Sequence, residues 1–98
     1  MIKRKFYLYD DETGDKEIKI PVDTAILKLE IPQGVNLTIQ GTVDRETGNF
    51  YGLMGIKSND LKSYLSMTEG IFSIDVNGID KIRCNLDTNG KVLAEMIG

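Results

Sequence analysis

The sequence contains no histidine, no tryptophan, one cysteine and two prolines in 98 residues. Each absence removes a class of chemistry. Without histidine there is no Ser-His-Asp or Cys-His nucleophile and no imidazole ligand for a metal, and one cysteine makes neither an intrachain disulfide nor a CxxC redox pair. Charge of one sign is not concentrated either: 12 basic and 15 acidic residues leave a net charge of −3. With a pI near 4.8, the chain lacks the clustered Lys and Arg that bind duplex DNA or an anionic membrane, so neither is expected as a partner. No apolar run approaches the roughly 18 residues that cross a bilayer. After Met1 the chain reads Ile-Lys-Arg-Lys-Phe-Tyr, without the apolar stretch and small-residue cleavage site of a secretory signal, so a reducing cytoplasm is the expected place of synthesis.

What remains is a single domain over residues 1–98, with room for one packed core in two layers and none for a separate substrate lobe. Period-two alternation dominates it. Val35, Leu37, Ile39, Gly41 and Val43 form an apolar face opposite Asn36, Thr38, Gln40 and Thr42. Leu27, Leu29 and Ile31 repeat the pattern, as do Phe72, Ile74 and Val76, and Val92, Ala94 and Met96. Strands with one apolar face suit antiparallel sheets packed face to face. In Ile82, Cys84 and Leu86 the same alternation makes Cys84 a buried, reduced thiol acting as a small hydrophobe.

Turn chemistry fills the gaps. Ile31-Pro32-Gln33-Gly34 predicts a tight hairpin between its flanking strands, and Asn89-Gly90 predicts a type I′ turn joining the strand through Leu86 to the last one. Asp75-Val76-Asn77-Gly78 reads as a strand running into a turn. Ser58 as an N-cap, with Leu61, Tyr64 and Leu65 at helical spacing, predicts one short helical turn. The related stretches 10–15 and 44–49, both with Asp, Glu, Thr and Gly at matching offsets, read as two independent hairpin loops rather than a duplication.

Tests for chemistry exclude more than they find. Neither 75–86 nor 11–16 spaces its oxygen ligands and glycine as a calcium loop requires, and no other metal or cofactor is expected. The carboxylates of Asp44, Glu46, Glu69 and Asp75 lie in or beside turns, where solvent leaves them untuned for acid and base catalysis. There is no P-loop, no GxGxxG and no nucleophile elbow, so an enzyme is not expected.

Binding surfaces are the productive reading. The N-terminus is basic and aromatic in an acidic chain: Lys3, Arg4, Lys5, Phe6, Tyr7 and Tyr9. It reads equally as a first strand with rings entering the core, or as an arm of residues 1–9 lying on an acidic neighbour. A second candidate is the polar face Asn36, Thr38, Gln40 and Thr42, with Phe50 and Tyr51 following, which suits a flat partner or a sugar.

Residues 32–86 resemble a small β-sandwich found among head decoration, head fibre and related accessory proteins of tailed bacteriophage virions. The resemblance rests on residues 35–44, then Tyr51-Gly52-Leu53, then 70–79 running into Lys81-Ile82-Arg83-Cys84-Asn85-Leu86. It implies a non-enzymatic virion protein that binds and stabilises the major capsid lattice, or is displayed on the particle as a homo-oligomer. The expected fold is an all-β antiparallel sandwich, jelly-roll or Ig-like, of about seven or eight strands. Two other functions compete: a receptor- or carbohydrate-binding module of a tail or fibre, presenting Tyr51 and Tyr64 on an exposed platform, and a small assembly factor absent from the virion.

Overall fold

A computed structural model describes residues 3–43 and 48–98. In chain order the strands are β1 (Lys3–Lys19), β2 (Ile26–Ile31), β3 (Leu37–Thr42), β4 (Tyr51–Leu53), β5 (Gly55–Lys57), β6 (Ser63–Tyr64), β7 (Ser66–Met67), β8 (Gly70–Asp75) and β9 (Lys81–Ile97). All pairings are antiparallel, and no helix occurs among the described residues.

The fold is organised around β9. One edge of it pairs with β1 from Lys81 to Ile97. The other edge is shared end to end: β3 takes Lys81 to Leu86 and β2 takes Leu93 to Ile97. Beyond β2 lie β8, β5 and β6, while β4 and β7 flank β3. Only Leu65 separates β6 from β7, so the far margin of the sheet returns to β3. A single nine-stranded sheet thus curls over its own core as a half-barrel, in place of two separate sheets.

Alternation sets what enters that core. Leu27, Leu29 and Ile31, Leu37 and Ile39, Phe72, Ile74 and Val76, and Ile82, Cys84 and Leu86 are all buried on the concave side. Burying each large apolar side chain contributes about 1.5–3 kcal/mol relative to exposure. The pattern ends sooner than the sequence suggests at one place: Thr42 is buried and Val43 is exposed, because β3 stops at Thr42, whose carbonyl accepts the Asp80 amide at 2.8 Å.

Three turn assignments are corrected. Residues 32–34 do not reverse the chain; they carry it from β2 into β3 along the same edge of β9, with Gly34 at φ +89°. Asn89 and Gly90 are not a hairpin tip. They lie inside β9 where Gly90 pairs with Glu12, and a Cβ on Gly90 would come within 2.8 Å of Val35 Cγ1. The glycine there permits close approach of β9 to residue 35. Residues 58–65 form no helix. The Leu61 amide reaches the Lys57 carbonyl at 2.8 Å, but Leu61 then turns to φ +59° and the Lys57 amide bonds back to Lys62, closing β5 onto β6.

The 10–15 stretch is likewise no loop. It is the irregular middle of β1, with register shifts on either side of Glu12 and positive φ at Asp11 and Gly14. Of its counterpart, residues 44–47, with Asp44 and Glu46, lie outside those described. The turn after β8 matches its signature: the Asn77 amide donates to Asp75 Oδ1 at 3.0 Å, and Gly78 sits at φ +84°.

Candidate functional site

The basic N-terminal residues form the first half of β1, so the strand reading holds over the free arm. Phe6 is partly buried and Tyr9 fully buried, which removes the Tyr9 ring from reach of a partner. Lys3, Lys5 and Tyr7 alternate with them and face outward opposite Ile97, Glu95 and Leu93. Arg4 is held by Asp23 at 2.9 Å.

β1 is the outer edge of the sheet, with β9 as its one strand partner among the described residues. Side chains cover the middle of that edge. Lys16 Nζ donates to the Leu8 carbonyl at 2.9 Å, Tyr9 OH donates to the Gly14 carbonyl at 2.6 Å, and Glu12 Oε1 accepts the Asp10 amide at 3.1 Å. Burial and nearby acidic groups push the Tyr9 hydroxyl above its ordinary pKa, so it stays a donor. From Lys3 to Tyr7 the strand runs in unbroken register against Ile97 to Leu93, and none of these side-chain caps reaches it. A regular edge of this kind is a template for an added strand.

The second candidate is the convex face of the other half. Of its predicted residues, Thr38 and Gln40 point outward, Asn36 precedes β3, and Thr42 is buried and leaves the surface. Antiparallel register builds two rows across four chain segments: Ser66, Thr38, Asn85 and Asp15, then Gly52, Gln40, Arg83 and Glu17. Asn85 Nδ2 donates to Asp15 Oδ1 at 2.7 Å. Glu17 bridges Lys81 at 3.1 Å and Arg83 at 3.3 Å, and those hydrogen bonds, Lys81 first, hold its carboxyl below the ordinary range. The Arg83 guanidinium lies 4.0 Å from the centre of the Phe50 ring.

Gly52 has no side chain to fill the centre, and an open groove of about 420 Å³ runs there between Leu65 and Arg83. Tyr51 is exposed at the sheet margin, whereas Tyr64 packs edge-on against Phe72 at 5.9 Å and donates to Asp60, so the two do not share a platform. Sequence reasoning missed Asp15, Glu17, Gly52, Arg83 and Asn85 here. Arg83 and Asn85 alternate with the buried Ile82, Cys84 and Leu86, which marks them as outward, but their neighbours come from distant parts of the chain.

Two solved structures share this fold. One is the SPBc2 prophage-derived protein YomS, with a TM-score of 0.79 and 16% identity over 99% of this chain and 94% of that chain. The other is the PBSX exported protein XepA, with a TM-score of 0.80 and 13% identity. The match covers 99% of this chain and 38% of XepA, so this chain corresponds to a part of that protein. No family model matches the sequence, and no curated sequence is similar to it. YomS and this chain therefore share the curled sheet almost end to end with few residues in common, as expected where core pattern and strand order, not particular side chains, define a fold.

Proposed function

We propose that this chain is a non-enzymatic, phage-associated structural protein that docks onto another protein of the particle through the open edge of β1, and in its most specific form decorates the capsid lattice. The observation that carries this reading is the contrast along β1: residues 8–14 have edge groups covered by Tyr9, Glu12 and Lys16, while Lys3 to Tyr7 are regular, basic and without such caps among the described residues. The resemblance to virion accessory proteins and the fold shared with a prophage-derived protein favour a phage setting.

An extended acidic segment of the partner would add a strand there. Main-chain hydrogen bonds would supply affinity, and Lys3 and Lys5 would select an acidic sequence and speed encounter. Bound only to assembled subunits, the protein would shift the equilibrium toward the particle by mass action.

The test is reconstitution. Particles from a strain lacking the gene are mixed with purified protein and sedimented. Wild-type protein should travel with the particles, and Lys3→Glu with Lys5→Glu should reduce its retention at least tenfold with an unchanged circular dichroism spectrum. Equal retention of the charge-reversed protein would remove the β1 edge from the interface. Retention on tail or fibre fractions alone would favour the receptor-module reading, and no retention the assembly-factor reading.

A further inference from the structure

We infer that the groove over β3, β4 and β9 is a binding site for a neutral oligosaccharide, a surface separate from the β1 edge and not dependent on it. The first observation is hydrogen-bonding capacity. The Thr38 and Gln40 side chains face the groove with no hydrogen bond to another described residue, and the Asn85 amide nitrogen donates to Asp15. Planar amides and a carboxylate fixed by an adjacent amide are the groups that pair with neighbouring hydroxyls of a sugar ring. The strand register holds them in two parallel rows, so they are spaced before any ligand arrives.

The second observation is charge. Asp15 and Glu17 are offset by Lys81 and Arg83, with Glu17 bridged to both cations. The Arg83 guanidinium is also stacked on Phe50. Both cations are engaged by Glu17 and Asp15 is held by the Asn85 amide, so these described residues offer an anion no unengaged cation, which favours an uncharged polyhydroxyl ligand over a phosphate, a sulfated glycan or an acidic peptide.

Shape is the third. At about 420 Å³ the groove falls within the range of small-molecule sites and is open rather than enclosed. Leu65 gives apolar surface for the C–H face of a sugar beside the bare backbone at Gly52. An open trough of this kind accepts a chain of residues passing through and has no pocket for a terminal one. Affinity is expected to be modest, with Kd in the range of about 0.1–5 mM, since few apolar contacts are available.

The probes are xylohexaose, cellohexaose and the N-acetylglucosamine hexamer, each titrated to 10 mM into the ¹⁵N-labelled protein and followed by amide chemical shifts. With at least one of them, shifts should be confined to residues 38–40, 50–52, 65 and 83–85. Gly52→Tyr would fill the trough from an edge strand at ordinary φ and should weaken binding more than tenfold. Gln40→Ala and Asn85→Ala, which leave the trough open, should each weaken it several-fold. Lys3→Glu with Lys5→Glu should leave it unchanged, which keeps this outcome distinct from that of the docking test. Absence of shifts with all three sugars, shifts spread elsewhere, or binding indifferent to Gly52→Tyr would overturn the assignment. So would binding of an uncharged Gly-Ser hexapeptide at the same residues with no sugar response.

Discussion

Cys84 shows how a single side chain is set by its neighbours. Fully buried between Ile82 and Leu86 on the concave side, it has lost the water that would stabilise a thiolate, and burial pushes its pKa up to about 12 from the ordinary 9. A thiol reagent at pH 8 should therefore modify it only as fast as the fold opens, with full reactivity in denaturant; rapid labelling of the native protein would contradict the burial. The same shift couples to stability. A group whose pKa is higher in the folded state contributes stability that is complete below the unfolded value and is lost as pH rises through the folded one. Urea unfolding of the wild type should thus weaken between pH 9 and pH 12, and Cys84→Ala should show a shallower decline, with the buried Tyr9 hydroxyl accounting for part of what is left. Glu17 acts at the other end of the scale. Its carboxyl is held low by Lys81 and Arg83, so its contribution is present above the ordinary carboxylate range and fades as pH falls through the folded value. Being exposed, it should add only slightly to acid sensitivity, seen as a flatter acid limb in Glu17→Gln.

At the scale of elements, the junction in β9 between the stretch paired with β3 and the stretch paired with β2 is where the two halves of the sheet meet. It depends on Gly90, whose missing Cβ lets residue 35 pack against the backbone. Gly90→Ala should cost about 1–3 kcal/mol in chemical denaturation, the range for overpacking. Val35→Ala in the same chain should recover part of that loss, because it removes the methyl that the new Cβ would meet. Additive losses in the double variant would place the strain elsewhere. This element also shows what was legible in the sequence. Alternation is local, and Leu27, Leu29, Ile31, Phe72, Ile74 and the run from Ile82 to Leu86 could be assigned to a buried face from period alone. Partnering is not local. Pro32 to Gly34 and Asn89-Gly90 carry residues that reverse a chain in many proteins; here the first is a local turn that leaves β2 and β3 on one edge of β9, and the second is held within β9 by its pairing with β1. The helical spacing of Leu61, Tyr64 and Leu65 was overridden as well: a two-turn helix is marginal alone, and Tyr64 instead packs edge-on against Phe72. For the candidate sites, the outward residues Thr38 and Gln40 were readable from alternation, whereas Lys3 and Lys5 were marked only by the basic, aromatic composition of the N-terminus, which left strand and arm open. The rows that join Gln40 to Arg83 and Glu17 were not, because they exist only once three distant segments share a register.

For the whole molecule, the curled sheet leaves the two candidate surfaces on different halves. The open edge of β1 borders the half containing β2 and β8, and the polar trough lies on the half built from β3 and β4. Such separation suits a component that holds to a particle by one surface and leaves the other exposed. Neither task requires histidine or a second cysteine. The most direct measurement is the amount of this chain in particles purified through a density gradient after induction of the strain that encodes it, counted against the major capsid protein by quantitative mass spectrometry. A decoration role predicts a fixed ratio of copies to capsid subunits, reduced at least tenfold when Lys3 and Lys5 are both changed to Glu; abundant protein in the lysate with none in the particle band would contradict it.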